Sequence, residues 1–518
     1  MACPGIRDAR PEEAVSVEDV RAFEVNSVWW GVSLGKLMEN AGRAVADSIE
    51  CIKGGVRGFK VAVLAGRGGN GGDGLVAGRH LASRGSIVEV HLLYDPQLVT
   101  HPDTRDNLRY ILDSRRIKTL TPGSRGWLEI SDADIVIDAV LGVGVKGPLR
   151  SPVKDAMKAF NDSGGLRVSI DIPTGLDPDT GIPAEGAARA DVTVTMHRPK
   201  RGLFANQGPL HSGRVLVADI GIPLEAEEYA GPGDVSSRIP VRPPPAYKGM
   251  GGRVMVIGGS QYYVGAPIIA AKAASASGAD LVYLASPHHI AFPASVENPY
   301  IIPVVRGGPE EFEAALASFA NRVHAIIFGP GLGVTEEARV LLEMLLEHAK
   351  GKSIVIDADG LKVLRDINVR LWREVVLTPH RGEAGMLLGE TVDPLKADPT
   401  SLARRVSERY GSTVIVKAPV DAICEPGGAC RLNKTGHPAM AVGGTGDALT
   451  GIIASFIARR VALGYTVDTL NTVAAAAYVC GRSGELAVEE KGETINPLDV
   501  VDKIPAAIRE ARALAGER

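Results

Sequence analysis

The sequence predicts an α/β protein of two domains, each built on a largely parallel sheet with helices on both faces. Length is the first reason, since 518 residues exceed what one hydrophobic core ordinarily organises. Pattern is the second: short continuous apolar runs alternate with helix-periodic stretches, as in strands buried on both faces. The third is a break. Around residues 222–252 the composition turns rich in Pro and Gly, and the alternation then restarts. Residues 1–225 read as the first domain, 226–247 as a linker and 248–510 as the second domain.

Composition excludes several classes. Hydrophobic residues make up 45% and charged residues 23%, which leaves ample core. The net charge of −4, from 57 basic and 61 acidic residues, gives no pull towards nucleic acid or an anionic membrane. The opening MACPGIRDARPEEA lacks the apolar segment of a secretory signal, and no apolar run reaches the length of a membrane span. The five cysteines, Cys3, Cys51, Cys424, Cys430 and Cys480, are odd in number and form no CxxC pair. That argues against a disulfide framework or zinc site and for a reducing compartment. The expectation is a soluble, cytoplasmic protein without nucleic-acid or membrane partners.

Residues 15–50 carry apolar side chains at three- and four-residue spacing and read as helix, with Ser16 as N-cap. Strands follow at 60–66, 88–94, 134–140, 167–173, 191–196 and 214–221. GRGGNGGDG (66–74) follows the first of these directly and opens a helix. Glycine lets a bound group approach the backbone, and the free N–H groups of a helix start attract phosphate. A tight turn alone would explain a lone glycine triplet, but Asn70 and Asp73 inside so dense a run favour binding. Asp138 in IDAVLGVGVKGP and Asp171 in SIDIPTGLDPDTG stand at two further strand ends. A single Asp more often caps a loop, yet three such ends in one sheet place a ligand site at the carboxyl edge of a Rossmann-like domain.

GNGGDGLVAGRHL, LMENAG (37–42), IDAVLGVGVKGP and DIPTGLD together resemble the NAD(P)H-hydrate epimerase domain over residues 15–225. The resemblance implies that Gly69, Asn70, Gly71, Gly72 and Asp73 hold the hydrated nucleotide. It gives Gly142, Val143, Gly144, Val145, Lys146, Gly147 and Pro148 the same task. It implies a potassium ion on Asn70, Asp138 and Thr174, oxygen ligands that suit a hard cation. Asp171 would bind substrate and act as the acid/base for loss and return of the ring hydroxyl, a role an Asp of ordinary pKa fills poorly at neutral pH. Three positions depart from the family: Gly69 where a second Asn is usual, Val143 where Thr is usual, and Thr174 where Ser is usual.

In the second domain, strands are expected at 252–259, 280–286, 324–333, 353–360, 374–380 and 413–420. Two long helices near 446–464 and 468–490 close the chain. VGGTGDALTG (442–451) opens the first of these helices. Gly443, Gly444 and Gly446 leave backbone N–H groups for an anion hole, and Asp447 sits where the helix dipole stabilises its charge. Such a loop serves phosphoryl transfer, with the Asp taking the proton of an attacking hydroxyl, and points to a ribokinase-like fold.

GGSQYYVGAP (258–267), FGPGLG (328–333), DADGL (357–361), TPHRGE (378–383) and HPAMAVGGTGDALTG (437–451) resemble the ADP-dependent NAD(P)H-hydrate dehydratase over residues 247–505. By that resemblance Ala266, Gly331, His380 and Asp447 contact the hydrated substrate, with Asp447 the catalytic base. Lys417, Ala418, Pro419, Val420, Asp421 and Gly446 would bind the adenine nucleotide. ADP phosphorylates the stray ring hydroxyl, and the ring nitrogen then expels phosphate. Magnesium is expected with the nucleotide. Ala418-Pro419 stands where many relatives have Gly, and His437 where Asn is commoner.

The two resemblances imply a bifunctional enzyme acting on NADHX, NADPHX and ADP, assembled as a homo-oligomer. Two rivals stand beside it. A vitamin-precursor or sugar kinase fused to a nucleotide-binding domain shares the anion hole, but TPHRGE and FGPGLG favour the dehydratase. A non-catalytic scaffold or RNA-binding first domain would not need Asn70, Asp138, Asp171 and Thr174 together.

Overall fold

The computed structural model describes residues 5–144, 147–319 and 321–516, and the chain divides into two compact units, Met1–Pro223 and Leu224–Arg518. The first unit carries strands β1 (Ile6–Asp8), β2 (Lys60–Ala65), β3 (Ile87–Leu92), β4 (Ile117–Leu120), β5 (Ile135–Ala139), β6 (Leu166–Ile170), β7 (Val192–Met196) and β8 (Arg214–Ala218). They form one sheet in the order β1-β8-β7-β6-β5-β2-β3-β4, parallel but for β1 against β8. The chain runs outward from β2 to β4 and then returns to β5 on the other side of β2. That reversal opens a crevice at the carboxyl ends of β2 and β5, where open α/β sheets bind ligands.

Residues 15–50 form two helices, Val17–Trp29 and Leu34–Lys53. Ser16 caps the first in a capping box with Asp19, and Ser33 caps the second. Gly31, at φ +91°, stands at the break between them.

The second unit carries β9 (Arg253–Ile257), β10 (Leu281–Ser286), β11 (Ile301–Val305), β12 (Ala325–Phe328), β13 (Ser353–Ile356), β14 (Val375–Leu377), β15 (Thr413–Val416), β16 (Asp421–Cys424) and β17 (Cys430–Asn433). Their order is β11-β10-β9-β12-β13-β14-β15-β16-β17, parallel through β15, with an antiparallel hairpin at the edge. Here the reversal lies between β9 and β12, so GGSQ and FGPGLG meet at one crevice. The closing helices are Thr445–Ala462 and Thr469–Lys491, and a third that the sequence reading missed, Pro497–Leu514, follows them. No helix among the described residues is long and apolar enough to cross a membrane.

Two expectations need correction. The edge hairpin sets Cys424 opposite Cys430, and the two are joined in a disulfide. The odd cysteine count and absent CxxC do not disclose a link made across a short hairpin. The count therefore no longer argues for a reducing compartment. The stretch read as a linker over 226–247 is only partly one. Leu224–Glu228 and Pro232–Arg238 are helices, and Ala230 N–H donates to the Leu432 carbonyl at 2.7 Å. Gly231 and Pro232 occupy the N-cap and first turn of the second helix, so Gly and Pro here start a helix rather than loosen a chain. Residues 240–248 have no helix or strand.

That helix is tied down by Asp234, which takes both guanidinium nitrogens of Arg431 at 3.0 Å in a buried pair. Removing one partner leaves the other charge buried alone. Asp234→Ala is expected to destabilise the second unit by about 3–5 kcal/mol, measured by denaturant unfolding.

Candidate active sites

In the first unit, the glycines of 66–74 divide into two kinds. Gly66, Gly71 and Gly74 are closed positions: an added Cβ would lie 2.0 Å from the Val140 carbonyl, 2.1 Å from the Gly66 carbonyl and 2.3 Å from Ala139 Cβ. They let the helix Gly69–Ser83 start tight against β2 and β5. Gly69 is open, with nothing nearer than His101 at 4.0 Å, and it lines a cavity of about 170 Å³.

Asp138, in β5, is fully buried. Its carboxylate accepts from Ser169 Oγ at 3.0 Å, Thr174 N at 2.8 Å, Thr174 Oγ1 at 2.7 Å and Val140 N at 3.3 Å. Burial still holds its carboxyl above the usual range. Thr174 Oγ1 also accepts from Leu141 N at 2.9 Å, which brings the β5 loop to Thr174. Asn70 lies against Gly142 of that loop, and both polar atoms of its amide are buried without a partner. Asn70 thus stands beside the loop after β5 that Thr174 and Asp138 anchor. Val143 packs beside Ile172, Leu176 and Leu203, which gives this departure from the family an apolar role. Val145 and Lys146 lie outside the described residues. Gly147 has φ +107°, a glycine conformation just before Pro148.

Asp171 follows β6 with φ +66°, a strained conformation for a residue with a Cβ, fixed by its N–H donating to Val194 O at 2.7 Å. Its carboxylate accepts from the Lys200 ammonium, Met196 N at 3.2 Å and Thr195 Oγ1 at 3.3 Å. Lys200 is 0% exposed and was not singled out by sequence; the signal was a lysine following an apolar strand in TMHRPK. Two further carboxyls line the cavity with Asp171. Burial, then the charge of Asp171, pushes Glu24 up to about 7 against the opposing pull of Lys200. The same two causes, with Glu24 added, push Asp73 well above its ordinary value. Glu24 also went unmarked, since it sits in an ordinary helical pattern.

In the second unit Asp447 lies in the first turn of Thr445–Ala462 behind Gly444 at φ +104°. Burial, then the nearby Asp357 charge, pushes Asp447 up to about 7. Asp357 follows β13 and takes the Lys417 ammonium at 2.9 Å. Burial works against the charge of Lys417, but Asp357, Glu383 and Asp447 outweigh it and hold the ammonium above the ordinary lysine range. A Cβ on Gly446 would stand 3.1 Å from Lys417 Nζ, so the glycine loop runs directly over this pair. Gly331, at φ +63°, lies against the Tyr263 carbonyl and Ala266.

His380 caps the helix Arg381–Leu388. Its Nδ1 accepts from Glu383 N at 3.2 Å and its Nε2 stands 3.5 Å from the Glu383 carboxylate, on a side chain that is 60% exposed. Asp421 accepts from Ala418 N at 2.9 Å and Asn433 Nδ2 at 3.0 Å and so closes the 418–421 turn; burial pushes it up to about 6. Ala418 has no positive φ, so this turn does not require the Gly found in relatives. Pro419 and Val420 are the exposed part of that turn. His437 caps the short turn 438–440 through Nδ1, a task Asn also performs.

Residues 254–506 match the family model described as NAD(P)H-hydrate dehydratase, and residues 34–202 match the YjeF-related protein N-terminus. A protein of Hyperthermus butylicus named bifunctional NAD(P)H-hydrate repair enzyme Nnr is 41% identical over 508 residues, covering 96% of this chain and 92% of its own. One of the same name from Methanothermobacter thermautotrophicus is 38% identical over 527 residues, covering 98% and 97%. A solved ADP/ATP-dependent NAD(P)H-hydrate dehydratase from Bacillus subtilis, crystallised with ATP and Mg2+, is 24% identical with a TM-score of 0.47, over 55% of this chain and 98% of its own.

The two kinds of glycine make a direct test. Gly71→Ala drives a methyl into backbone and is expected to cost about 1–3 kcal/mol or more. Gly69→Ala enters open space and is expected to change stability by less than about 1 kcal/mol. Thermal unfolding of the two variants measures the difference.

Proposed function

The chain belongs to the family of bifunctional NAD(P)H-hydrate repair enzymes, and we propose that its first unit interconverts the R and S epimers of hydrated NADH and NADPH while its second dehydrates the S epimer at the expense of ADP, giving AMP and phosphate. One observation carries this reading beyond the family match: each unit sets an Asp–Lys pair, drawn from the carboxyl ends of its strands, beside a glycine loop. We place the enzyme in the cytoplasm, as a homo-oligomer.

In the first unit the start of the helix Gly69–Ser83, with the 142–148 loop, receives the nucleotide. Asn70, Asp138 and Thr174 suit a potassium ion. The orphaned Asn70 amide oxygen and the buried Asp138 carboxylate are oxygen donors of the kind a hard monovalent cation takes. When bound there, such an ion would supply fixed positive charge at these oxygens. Asp171, aimed by Lys200, Met196 N–H and its own constrained backbone, handles the proton at the ring hydroxyl.

In the second unit Asp447 takes the proton of the substrate hydroxyl as that oxygen attacks the transferring phosphoryl group. The amides of Gly443 to Gly446 stabilise the charge on that group. Lys417 holds Asp357 and adds positive charge beside Asp447, and Gly446 permits the close approach. Ala266, Gly331 and the exposed His380 line the substrate side. The ring nitrogen then expels phosphate, a better leaving group than hydroxide, and magnesium accompanies the nucleotide. A kinase would instead release a stable phosphorylated product.

Incubation with both NADHX epimers, ADP and magnesium is expected to restore NADH completely, with AMP and phosphate released. Asp171→Ala should cut recovery back towards the S epimer alone. Recovery of the S epimer only, in the unaltered protein, would remove the epimerase; a stable phosphorylated product would install the kinase. A base works only when deprotonated, so with Asp447 at about 7 the dehydration rate should fall as pH drops below that value. Asp447→Asn should lose about 10²–10⁴-fold in dehydration rate and flatten that fall.

A further inference from the structure

An epimerase that works through the ring hydroxyl must do two opposite things at one carbon: give a proton to the departing oxygen and take one from the entering water. The cavity beside the glycine loop holds three carboxyls, Glu24, Asp73 and Asp171, and one buried ammonium, Lys200. Lys200 is committed to Asp171, and its remaining contacts are Thr195 Oγ1 at 3.2 Å and the Met196 carbonyl at 3.3 Å. None of these contacts is to Glu24 or Asp73, and the charge of Lys200 only partly offsets what raises Glu24. Glu24 reaches the cavity from a separate element, the helix Val17–Trp29, with Phe23 and Val20 beside it on the apolar wall.

We infer that Glu24 is the proton donor of the epimerisation and Asp171 its proton acceptor, a division of labour that rests on the functional reading above. In one direction the Glu24 carboxyl proton passes to the C6 hydroxyl of the hydrated ring. The C6–O bond breaks, oxygen leaves as water, and the N1 lone pair forms an N1=C6 bond. Water then adds to the other face of C6, its proton goes to the Asp171 carboxylate, and N1 recovers its lone pair. Nothing is oxidised or reduced. Glu24 ends deprotonated and Asp171 protonated, and exchange with solvent resets the pair.

The electrostatics agree with the geometry. The charged and titratable groups about Glu24 are Asp171 and Lys200, Arg21 on its own helix, and Asp73, His101 and His197 across the cavity. Burial outweighs all of them, and Glu24 stands at about 7, so the acid form is well populated at neutral pH. Asp73 is also pushed up, but it belongs to the helix Gly69–Ser83, beyond its first turn, on the side we assign to the bound nucleotide.

The test uses the full chain without nucleotide donor and follows exchange of a purified NADHX epimer by chromatography, with the spontaneous rate subtracted. Glu24→Gln should lower exchange by about 10²–10⁴-fold. In the unaltered protein exchange should decline as pH rises through about 7, where Glu24 loses its proton, and this decline should vanish in Glu24→Gln. Glu24→Asp, which keeps a carboxyl, should restore part of the rate with the decline moved in pH. ADP-dependent dehydration of the S epimer should persist in Glu24→Gln, since that chemistry lies in the other unit. Wild-type exchange in Glu24→Gln, or a lowered rate that keeps the decline, would overturn the donor role alone. No exchange by the unaltered protein would overturn the functional reading of the first unit and the donor role with it.

Discussion

A lysine ammonium taken out of water must be met by a carboxylate, and a single ammonium meets only one at full strength. Each unit of this chain holds such a lysine: Lys200 on Asp171 in the first, Lys417 on Asp357 in the second. Each then sets another carboxyl within the same enclosed space, where burial and the charge of the neighbouring Asp act together against ionisation. Glu24 and Asp447 both arrive at about 7 by this route. The lysine is therefore more than a counter-ion. By fixing one carboxylate it decides that the next will be poised near neutrality, which is what proton transfer at cellular pH requires.

The sheets make the arrangement possible. In each unit the order of strands reverses once, and adjacent loops turn away from each other at that point. Asp171 leaves β6 beside β7, whose continuation supplies Lys200, so the pair forms between neighbouring strands. Asp357 leaves β13, and Lys417 leaves β15 and reaches past the intervening β14. The strain at Asp171 belongs to the same constraint. Its backbone is held at φ +66° by a hydrogen bond to β7 while its carboxylate is drawn to Lys200, so the side chain has little freedom to turn from the cavity.

What the sequence discloses follows from which interactions are local. The continuous apolar runs of β2, β5, β9 and β12 mark themselves, and so do glycine loops that follow such a run. β1 and β4 do not: one is three residues long, and the other, IKTL, has two polar residues between its apolar ends. β11 carries an internal Pro, and β16 and β17 make a short edge hairpin. At the sites, Asp171 and Asp447 stand at motif positions that announce a strand or helix end. Glu24 is one acidic residue in a helix without a distinctive pattern and becomes notable only when that helix is laid against a cavity that Asp171 and Lys200, more than a hundred residues downstream, also line. Lys417 was legible as part of a loop but not as the partner of Asp357. The glycines were legible as a group, yet the separation of closed Gly71 from open Gly69 depends on the Gly66 carbonyl and the cavity, which only the folded chain brings together.

Equal shifts in the two units do not imply equal roles. A carboxyl poised near neutrality can donate or accept, and its neighbours select between the two. Around Glu24 the carboxylate already held by Lys200 is the natural acceptor, and a further negative charge in an apolar cavity is disfavoured, so the proton stays on Glu24 until substrate takes it. Around Asp447 the glycine loop and the helix start point backbone amides at negative charge, and Lys417 lies near on the other side. Those groups favour the ionised form at the moment a phosphoryl group is in transit, so Asp447 serves as a base. The chain thus uses one electrostatic device twice and reverses its outcome by what surrounds the second carboxyl.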